Sequence, residues 1–292
     1  MVQLEHIEPE DFDEIYAEFL EDDDPRFSRE DWQRLFSPDG DGEASRQLGY
    51  RLDKAGRTVG ILGTVFSQQA IGDRMEQFCN LHSWFVKPEY RGYSLLLLRP
   101  ILKLRDYTIT DFTPTDDVCK IERRLGFRCL DSTVRILPPL PLWSRCEALE
   151  CHEGNEISVD GLDAATQRIV VDPRVSHLHR FAFSKKGETS VVICSRVTLH
   201  WRPYCYIVHV QNPDFLAKNS LLIRARLCRA LDSSFVAVDD RLLTSPIPWS
   251  IALPRRTRQL FRSNRLSPHQ ISPVFTEVSA LNLCTFPKLL ST

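Results

Sequence analysis

Apolar and polar positions change with two different periods along the chain, and this alternation predicts a mixed α/β fold. In the first half the pattern predicts strands at residues 2–7, 48–52, 59–66, 77–86, 108–112 and 127–136, and helices at 10–20, around Trp32, at 94–104 and at 116–125. Strands and helices in this order predict a central sheet with helices on its faces.

The second half repeats part of this order. Strands are predicted at residues 189–199, 204–210 and 235–239, and helices at 220–231 and 268–281. The helix and the strand that follows it, at positions 94 and 109, recur at positions 220 and 235, an offset of 126 residues in both cases. An internal repeat explains this spacing, and chance agreement of a common order of elements is the alternative.

A proline-rich segment, residues 137–142, separates the two halves. Prolines stiffen a linker and restrict the residues around them. The sequence therefore predicts two domains, residues 1–137 and 151–292, joined by a linker at 138–150. A chain of 292 residues is long enough for two domains of ordinary size.

Charge is distributed unevenly between these halves. Residues 1–150 contain 19 Lys and Arg against 28 Asp and Glu, whereas residues 151–292 contain 18 against 11. Opposite charges favour packing of the two halves against each other, and the alternative is a basic half that faces an anionic ligand. The hydrophobic share of 42% and the charged share of 26% are typical of soluble globular proteins.

The nine cysteines predict free thiols in a reducing compartment. Their number is odd, they are scattered, and no Cys-x-x-Cys pair occurs. His177 and His179 supply too few ligands for zinc, so no metal site is predicted. The acidic N-terminal segment lacks the basic start and apolar run of an export signal, and no apolar run approaches the ~20 residues of a membrane helix. The expected location is cytoplasmic, without a membrane span.

The most informative segment runs from residue 81 to residue 98. An apolar strand ends at Pro88, a short basic turn with Arg91 and Gly92 follows, and a leucine-rich helix begins at Ser94. A helix start presents unpaired backbone N–H groups and a positive dipole end, which together favour a phosphate. The sequence therefore predicts an anion-binding turn at this position.

The order Val-x-Pro-x-Tyr-Arg-Gly before a leucine-rich helix resembles the acyl-CoA-binding segment of the GNAT acyltransferase superfamily. Residues 124–127, Arg-Leu-Gly-Phe, are similar to the end of the last helix in that family. The resemblance implies an α/β (mixed α+β) fold with two GNAT-like domains, the second degenerate, each with a central, mostly antiparallel twisted sheet flanked by helices. It also implies transfer of an acyl group from acetyl-CoA or another acyl-CoA to an amine or hydroxyl by direct attack in a ternary complex.

The resemblance also implies a set of cofactor-binding residues. Backbone N–H groups of the strand would pair with pantetheine and stabilise the oxyanion, and the turn would hold the pyrophosphate. The residues implied are Phe85, Val86, Arg91, Gly92, Tyr93, Ser94, Leu95 and Leu96. Arg91 matches the family's turn, Ser94 replaces a usual glycine, and Leu96 replaces a usual glycine or alanine, where small residues let the ligand approach.

Three residues are candidates for proton transfer. His82 alternates with Trp84 and Val86 on one predicted strand face and is the best candidate base, with a structural histidine as the alternative. Glu76 is a weaker candidate base, with a plain surface carboxylate as the alternative. Glu122 stands where the family places a tyrosine acid; it can act only if burial raises its pKa, and the alternative is a helix-surface acid beside two arginines.

Two functions from different classes follow. The first is an acyltransferase acting on a small-molecule, sugar or peptide amine. The second is a catalytically inactive GNAT-like binding or scaffold protein, which Leu96 and the missing helix tyrosine favour. The C-terminal arginines lack the glycine and aromatic residues of an RNA-binding surface, so a solvated face or docking to the acidic half is favoured over nucleic-acid binding. The oligomeric state is not predicted.

Overall fold

A computed structural model of the chain describes residues 1–37, 47–130, 133–139, 149–199, 202–255 and 258–283. These residues form two compact units. The first unit comprises Met1–Cys129, Gln259–Leu266 and Phe275–Leu281, and the second includes Leu130–Arg258 and Ser267–Val274. The C-terminal part of the chain therefore contributes to both units.

The first unit is built on a seven-stranded sheet. Its strands are β1 (Val2–His6), β2 (Gly49–Lys54), β3 (Thr58–Ile71), β4 (Arg74–Val86), β5 (Tyr107–Asp111), β6 (Arg128–Leu130) and β14 (Gln259–Arg262), in the order β1-β2-β3-β4-β5-β14-β6. The pairs β1–β2, β2–β3, β3–β4 and β5–β14 are antiparallel, whereas β4 and β5 are parallel. A parallel pair needs a crossover connection, and the chain between β4 and β5 supplies it.

Short helices accompany this sheet. They are α1 (Phe12–Ile15), α2 (Arg29–Gln33), α3 (Ser94–Ile101), α4 (Asp116–Arg124) and α8 (Glu277–Ala280), with 3-10 turns at Pro9–Asp11, Arg34–Phe36 and Pro88–Tyr93 and a π-helix at Tyr16–Leu20. Ser28 caps α2, because its hydroxyl accepts a hydrogen bond from Asp31 N while the Asp31 carboxylate accepts one from Ser28 N. Thr115 caps α4 by accepting from Val118 N at 3.3 Å.

The core of the first unit lies between the sheet and α3. Leu97, Leu98 and Ile101 form one face of α3 and are fully buried. They pack in a cluster, called the first core, whose other buried members are Tyr50, Leu52, Val59, Leu62, Phe66, Cys79, Leu81, Ile109, Cys119, Phe127 and Leu260. Burying each large apolar side chain stabilises the fold by about 1.5–3 kcal/mol. This core fixes α3, and with it the turn that precedes the helix.

The second unit contains another seven-stranded sheet. Its strands are β7 (Thr133–Leu137), β8 (Glu150–Glu153), β9 (His179–Lys185), β10 (Glu188–Leu199), β11 (Arg202–Val210), β12 (Val236–Asp239) and β13 (Ile251–Pro254), in the order β13-β7-β12-β11-β10-β9-β8. Helices α5 (Ala164–Val171), α6 (Pro213–Lys218) and α7 (Ser220–Ala230) belong to it, as do 3-10 turns at Gly154–Glu156, Pro173–Val175, Asp240–Leu242 and Pro268–Gln270. Within the described part of this sheet, β11 and β12 are the one parallel pair.

The two sheets have the same arrangement, as the predicted repeat requires. Read from β1 in the first sheet and from β8 in the second, the parallel pair occupies the fourth and fifth places in both. Helices α3 and α7 begin at Ser94 and Ser220, at the predicted offset. The strands in the sixth place come from the opposite halves of the chain. In the first sheet this strand is β14, from the C-terminal part, and in the second sheet it is β7, which follows β6.

This exchange corrects the predicted domain boundaries. The predicted strand at 127–136 consists of two strands that belong to different sheets, β6 and β7, so the first unit does not extend to residue 137. Conversely, residues 259–266 and 275–281 of the predicted second domain belong to the first unit. Residues 140–148 of the predicted linker lie outside the described residues, and Glu150 already belongs to β8.

The predicted helix at 268–281 is wrong. The segment forms a 3-10 turn at Pro268–Gln270 and, after an irregular stretch, the single turn α8. Pro273 lies in the middle of the predicted helix, where a proline removes a hydrogen-bond donor and clashes with the preceding turn. Among the described residues, no helix is long and apolar enough to cross a membrane. The seven cysteines in the described ranges are free thiols, five of them buried.

Candidate active site

Strands β4 and β5 separate part-way along their length. Their parallel pairing runs from Gln77 and Tyr107 to Leu81 and Asp111 and ends there, while β4 continues to Val86. We call the opening between residues 82–86 of β4 and the end of β5 the split. Backbone groups of β4 that face the split have no neighbouring strand, so an extended ligand can pair with them.

A β-bulge shapes β4 at the split. Gly63 of β3 faces His82 and Ile61 faces Phe85, so two residues of β4, Ser83 and Trp84, oppose one residue of β3. Ser83 adopts a left-handed conformation with φ of 49°. The bulge re-aims the side chains that follow it: His82 contacts Phe36, whereas Trp84 packs against the first core. His82 and Trp84 therefore do not lie on the same face of the strand, contrary to the prediction.

Only one of the two predicted backbone donors on β4 faces the split. Lys87 N–H donates to Val59 O of β3 at 2.9 Å. Alternate residues of a strand direct their N–H and C=O groups to the same side, so the groups of Phe85 also face β3. Those of Val86, paired opposite Gly60, face away from β3 toward the split. Val86 therefore remains a candidate oxyanion or pantetheine donor, and the Phe85 N–H does not.

The predicted anion-binding turn is exposed and helical. Residues Pro88–Tyr93 form a 3-10 turn that leads directly into α3, with Arg91, Gly92 and Tyr93 exposed. A Cβ added to Gly92 would have no atom within 4 Å, so there is open space above it. Ser94 is half-buried and its N–H donates to Arg91 O, which leaves fewer free donors than an open loop would have.

The two leucines of this segment behave differently. Leu95 is 53% exposed, whereas Leu96 is half-buried against the first core, where Trp84 and Val86 also pack. The turn therefore combines an exposed basic edge, formed by Arg91, with an apolar floor. Such a surface suits a ligand that has a phosphate and a slender apolar arm.

His82 is a buried histidine, and its environment does not suit a base. A Cβ added to Gly63 would lie 2.1 Å from the His82 ring, so the glycine makes room for the imidazole. The ring packs edge-on against Phe36 with centroids 5.0 Å apart, and Nδ1 lies 3.0 Å from Ser83 Oγ. Burial lowers the pKa of His82 to about 3. The neutral ring is too weak a base to remove a proton from an ammonium group.

Glu76 lies far from the split. It pairs opposite Gln69 near the start of β4, ten residues before Val86, and a strand rises ~3.3 Å per residue, or about 33 Å over that length. Its side chain is buried and lies 3.9 Å from Arg265 Nη1. The expected alternative, a surface carboxylate, is wrong as well. Glu76 is a buried structural acid, and the prediction of a catalytic role is corrected.

Glu122, by contrast, is buried at the site. The helix α4 directs Arg123 and Arg124 to the surface and Glu122 inward, with 0% exposure. Neither carboxyl oxygen accepts a hydrogen bond from a described amide or hydroxyl group. Burial raises its pKa to about 8, so the group carries a proton at neutral pH. The alternative prediction, an acid on the helix surface, is therefore wrong. Glu122 meets the condition for acting as an acid, which is that burial raises its pKa.

Two further carboxyl groups lie beside Glu122. Asp111 ends β5 at the edge of the split, and Glu277 begins α8. Burial raises the pKa of Asp111 well above its usual range, with a further contribution from the charges of Glu122 and Glu277. We call these three side chains the carboxyl cluster. In the described part of the chain no group of His, Cys, Asp and Glu has the geometry of a metal site, and the cluster is no exception.

Sequence reasoning missed two members of the cluster. Asp111 had a local signal, because a carboxylate at the carboxyl end of a buried strand stands at the edge of a sheet, where sites of α/β proteins form. Glu277 had none, since 166 residues separate it from Asp111 and the pattern around it predicted a helix.

The C-terminal arginines do not form one free basic surface. Arg255 is buried and its Nη2 lies 3.0 Å from the Asp239 carboxylate. Arg262 donates to Leu102 O at 3.1 Å, and Arg265 pairs with Asp106 at 2.9 Å. Arg256 lies outside the described residues. The last two contacts are with residues of the N-terminal half, and that of Arg265 with Asp106 is an ion pair.

No protein-family model matches the sequence, and no curated protein matches it. Solved structures do. A GCN5-related N-acetyltransferase from Anabaena variabilis aligns with 90% of this chain and 72% of its own at a TM-score of 0.60 and 11% identity. A probable N-acyltransferase from Enterococcus faecalis, described as a conserved protein of unknown function, aligns with 92% and 74% at 0.57 and 12%.

A GCN5-related N-acetyltransferase from Kribbella flavida aligns with 90% of this chain and 71% of its own, at a TM-score of 0.54 and 17% identity. All three alignments extend across both units. Identities this low establish a common architecture and leave the chemistry to the residues of the site. The chain therefore has the fold of the GCN5-related N-acetyltransferases, with two mixed sheets flanked by helices.

Proposed function

We propose that the chain is an acyltransferase that moves an acyl group from acyl-CoA to an amine or hydroxyl by direct attack in a ternary complex. The observation that carries the proposal is Glu122, a fully buried carboxyl group beside Asp111 at the end of β5, whose pKa burial raises to about 8. A proton donor held there can neutralise the thiolate that leaves when the acyl group is transferred. The shared fold and the exposed basic turn support the same reaction.

The first unit would hold the cofactor. Arg91 and the N-terminal end of α3 would bind the pyrophosphate, and the pantetheine arm would lie along β4 in the split. The Val86 N–H would donate to the thioester oxygen, where negative charge develops in the tetrahedral intermediate. Leu95, Leu96, Gly92 and Tyr93 would border the arm and the pyrophosphate.

The second unit is the degenerate copy in this proposal. Its corresponding strand β11 is followed by α6, which buries Phe215 and Leu216 where the first unit has its exposed turn. Beyond its own β11–β12 pair, Ser272 Oγ donates to Val208 O at 3.4 Å, so a residue of the chain itself contacts this end of β11. The acceptor is a small-molecule, sugar or peptide amine, or a hydroxyl.

An inactive binding module is the second candidate. Leu96 and Trp84 pack on the same core surface as Val86, next to the space that a pantetheine arm would need. In such a protein acyl-CoA would bind without being turned over, or would not bind at all.

Calorimetric titration with acetyl-CoA and longer acyl-CoA tests the proposal. We expect binding by the wild-type chain, and Arg91→Ala should weaken it by roughly 10-fold or more, the effect of losing a charged hydrogen bond to phosphate. Arg99→Ala removes an exposed arginine from the same helix and is the matched control. Release of the CoA thiol is then measured with a panel of peptide, polyamine and aminoglycoside amines.

The outcomes separate the two candidates. Binding with thiol release supports the acyltransferase. Binding without release from any acceptor supports the inactive module, and no heat with any acyl-CoA contradicts both the cofactor site and the enzyme.

A further inference from the structure

Glu277 occupies the point where β4 and β5 part. Its Oε1 accepts hydrogen bonds from Phe112 N at 3.2 Å and from Thr113 Oγ1 at 2.9 Å, and its Oε2 accepts one from Asn80 Nδ2 at 2.5 Å. Phe112 directly follows the last residue of the β4–β5 ladder. Its N–H bonds to a carboxylate from the C-terminal part of the chain instead of continuing the ladder.

The network around Glu277 is buried and ordered by further hydrogen bonds. Asn80 Oδ1 accepts from Thr110 Oγ1 at 3.0 Å, which fixes the amide so that its Nδ2 points at Glu277. Asp111 accepts from Thr113 N at 3.1 Å. Glu277 is only 2% exposed and Asp111 7%. Positions this well defined are typical of groups with a chemical role.

The three carboxyl groups differ in the donors that reach them. Glu277 accepts three hydrogen bonds, which favour its ionised form, and its pKa is about 7 because burial raises it while these donors lower it. Glu122 has no such donor and is fully buried, which favours its protonated form. The side chains of Asp111 and Glu122 are hydrogen bonded to each other. Two carboxyl groups form such a bond only when one of them carries a proton, so this pair shares one proton.

The second unit offers a comparison within the same chain. Asp239 ends β12 as Asp111 ends β5, and the two strands hold the same place in their sheets. Asp239 is paired with Arg241 at 2.8 Å and with Arg255 at 3.0 Å, and these guanidinium groups lower its pKa. In the first unit other carboxyl groups surround the aspartate. A stable fold therefore does not require an acidic cluster at this position.

We propose that Glu277 accepts the proton of the attacking amine, and that Asp111 returns this proton to Glu122 after each turnover. The proposal rests on the acyltransferase function proposed above. It adds a second proton-transfer residue, delivered by the C-terminal part of the chain, to the acid on α4. Pairs of titratable groups driven to opposite protonation states are the arrangement that acid–base catalysis requires.

The proton balance closes within the cluster. A neutral amine attacks the thioester carbon, a C–N bond forms, and the nitrogen loses one proton to Glu277. The C–S bond then breaks and the thiolate takes a proton from Glu122. Glu277 is now protonated and Glu122 ionised, and transfer of one proton through Asp111 restores both. An acceptor that arrives as ammonium releases one additional proton to solvent.

Few other charged groups face Glu277 within the described residues. From β5 it faces Asp111 and from α4 it faces Glu122. Arg34, from the 3-10 turn that packs against α8, donates to Ala280 O at the other end of that helix and pairs with Asp31 at 2.8 Å. The proton affinity of Glu277 is thus governed by its burial, which raises its pKa, and by its hydrogen-bond donors, which lower it.

The test compares Glu277→Gln with wild type, using acetyl-CoA and the best acceptor amine, from about pH 5 to about pH 9.5. Glutamine keeps the size of the side chain and an oxygen that accepts from Phe112 N and Thr113, but it takes no proton. We expect kcat at neutral pH to fall by roughly 10²–10³-fold and to recover as rising pH supplies hydroxide, which takes the proton in place of Glu277. The acetyl-CoA Kd should stay within about 2-fold, since the substitution leaves the phosphate site intact.

Glu30→Gln, at an exposed position of α2, is the matched control. If kcat of Glu277→Gln falls by the same factor at every pH, Glu277 only maintains the shape of the split, and the proposal is overturned. Unchanged activity of this variant overturns it as well. If no acceptor is turned over by the wild-type chain, the proposed function itself fails.

Asp111→Asn provides a second test that does not depend on the first variant's folding. We expect the first turnover, measured with enzyme in excess, to keep its rate, while steady-state turnover slows because the proton must return through solvent. Equal loss in both measurements contradicts the return path. Glu277→Asp, which keeps a carboxylate at shorter reach, should retain the wild-type pH profile at reduced kcat.

Discussion

Burial decides the charge of the carboxyl cluster at the scale of single residues. A carboxylate removed from water loses its hydration, and it becomes protonated unless donors or cations replace the water. Glu277 accepts hydrogen bonds from three amide and hydroxyl donors, whereas Glu122 accepts from no such donor among the described residues. Two glutamates of the same cluster therefore differ in proton affinity. The same burial also links the stability of the protein to pH.

Glu122 should make the protein less stable at alkaline pH. Its pKa is about 8 in the folded chain against an ordinary value of 4.5, so the folded state holds this proton more tightly than the unfolded state. The stabilising contribution is complete below about pH 4.5 and is lost as pH rises toward about 8. Glu122→Gln, which mimics the protonated form, should lose less Tm than wild type between about pH 6 and about pH 9, by at least about 2 °C.

Thermal unfolding across that pH range is the measurement. Glu10→Gln, an exposed acid of the first unit, is the control and should follow wild type. An identical Tm profile in Glu122→Gln and wild type would show that Glu122 is ionised in the folded chain.

The sequence predicted residues of the candidate site only where local pattern carried the information. The turn at Arg91 was placed correctly because a proline, a glycine and a leucine-rich helix define it within a few residues. Glu122 was named from its place in the helix, yet its burial depended on elements far away in sequence. His82 was misjudged because the bulge after it reverses the strand alternation. Glu277 could not be found, because its partners lie on strands more than 160 residues earlier.

The bulge in β4 is the element-level feature that opens the split. It inserts one extra residue, places Ser83 in the left-handed region and turns Trp84 onto the first core. Bulges bend a strand and increase its local twist, which directs the end of β4 away from β5. The geometry of the proposed cofactor site therefore depends on a residue that tolerates a positive φ.

Ser83→Val should damage both stability and cofactor binding. A β-branched side chain is strongly disfavoured at φ of 49°, and the left-handed region already costs a non-glycine residue about 1–2 kcal/mol. We expect a lower Tm and weaker acetyl-CoA binding in titration, because the bulge must shift. Ser83→Asn is the matched control, since asparagine enters this region readily, and it should stay close to wild type. Equal behaviour of the two variants would contradict the role of the backbone conformation.

Prediction of elements succeeded where hydrophobic period and caps agreed. The strands near 59 and 77 and the helices at 94, 116 and 220 are present with small differences at their ends. The edge strand β8, with the sequence Glu-Cys-His-Glu, was missed because it is short and polar and has no apolar face to detect. The strand β13 was missed for a related reason, since most of its residues are exposed.

The architecture of the whole molecule interleaves two units along one chain. In the first sheet β14 lies between β5 and β6, and it buries Leu260 and Phe261. Without β14, β6 has no neighbour in this sheet and the edge of β5 is bare. The repeat was predictable from spacing, but the exchange of strands was not, because nothing local marks which sheet a strand joins.

A fragment of residues 1–130 should therefore not fold by itself. It lacks β14 and α8, so the apolar surface around β5 stays exposed, and we expect dye binding typical of loosely packed states and no cooperative thermal transition. Addition of a peptide of residues 259–281 should restore a cooperative transition. A peptide with Leu260→Asp and Phe261→Asp should not, because it cannot bury these positions. A fragment that unfolds cooperatively without any peptide contradicts this prediction.

The late position of β14 in the chain also has a consequence for synthesis. A ribosome delivers residues from the N-terminus at about 5–20 per second, and domains generally fold as they emerge. Here β1 to β5 leave the ribosome long before residues 259–281 that complete their sheet. The nascent N-terminal part must wait with an open strand edge until residues 259–281 have been made. Chaperone dependence during translation, rather than after release, is the expected cellular signature of this connectivity.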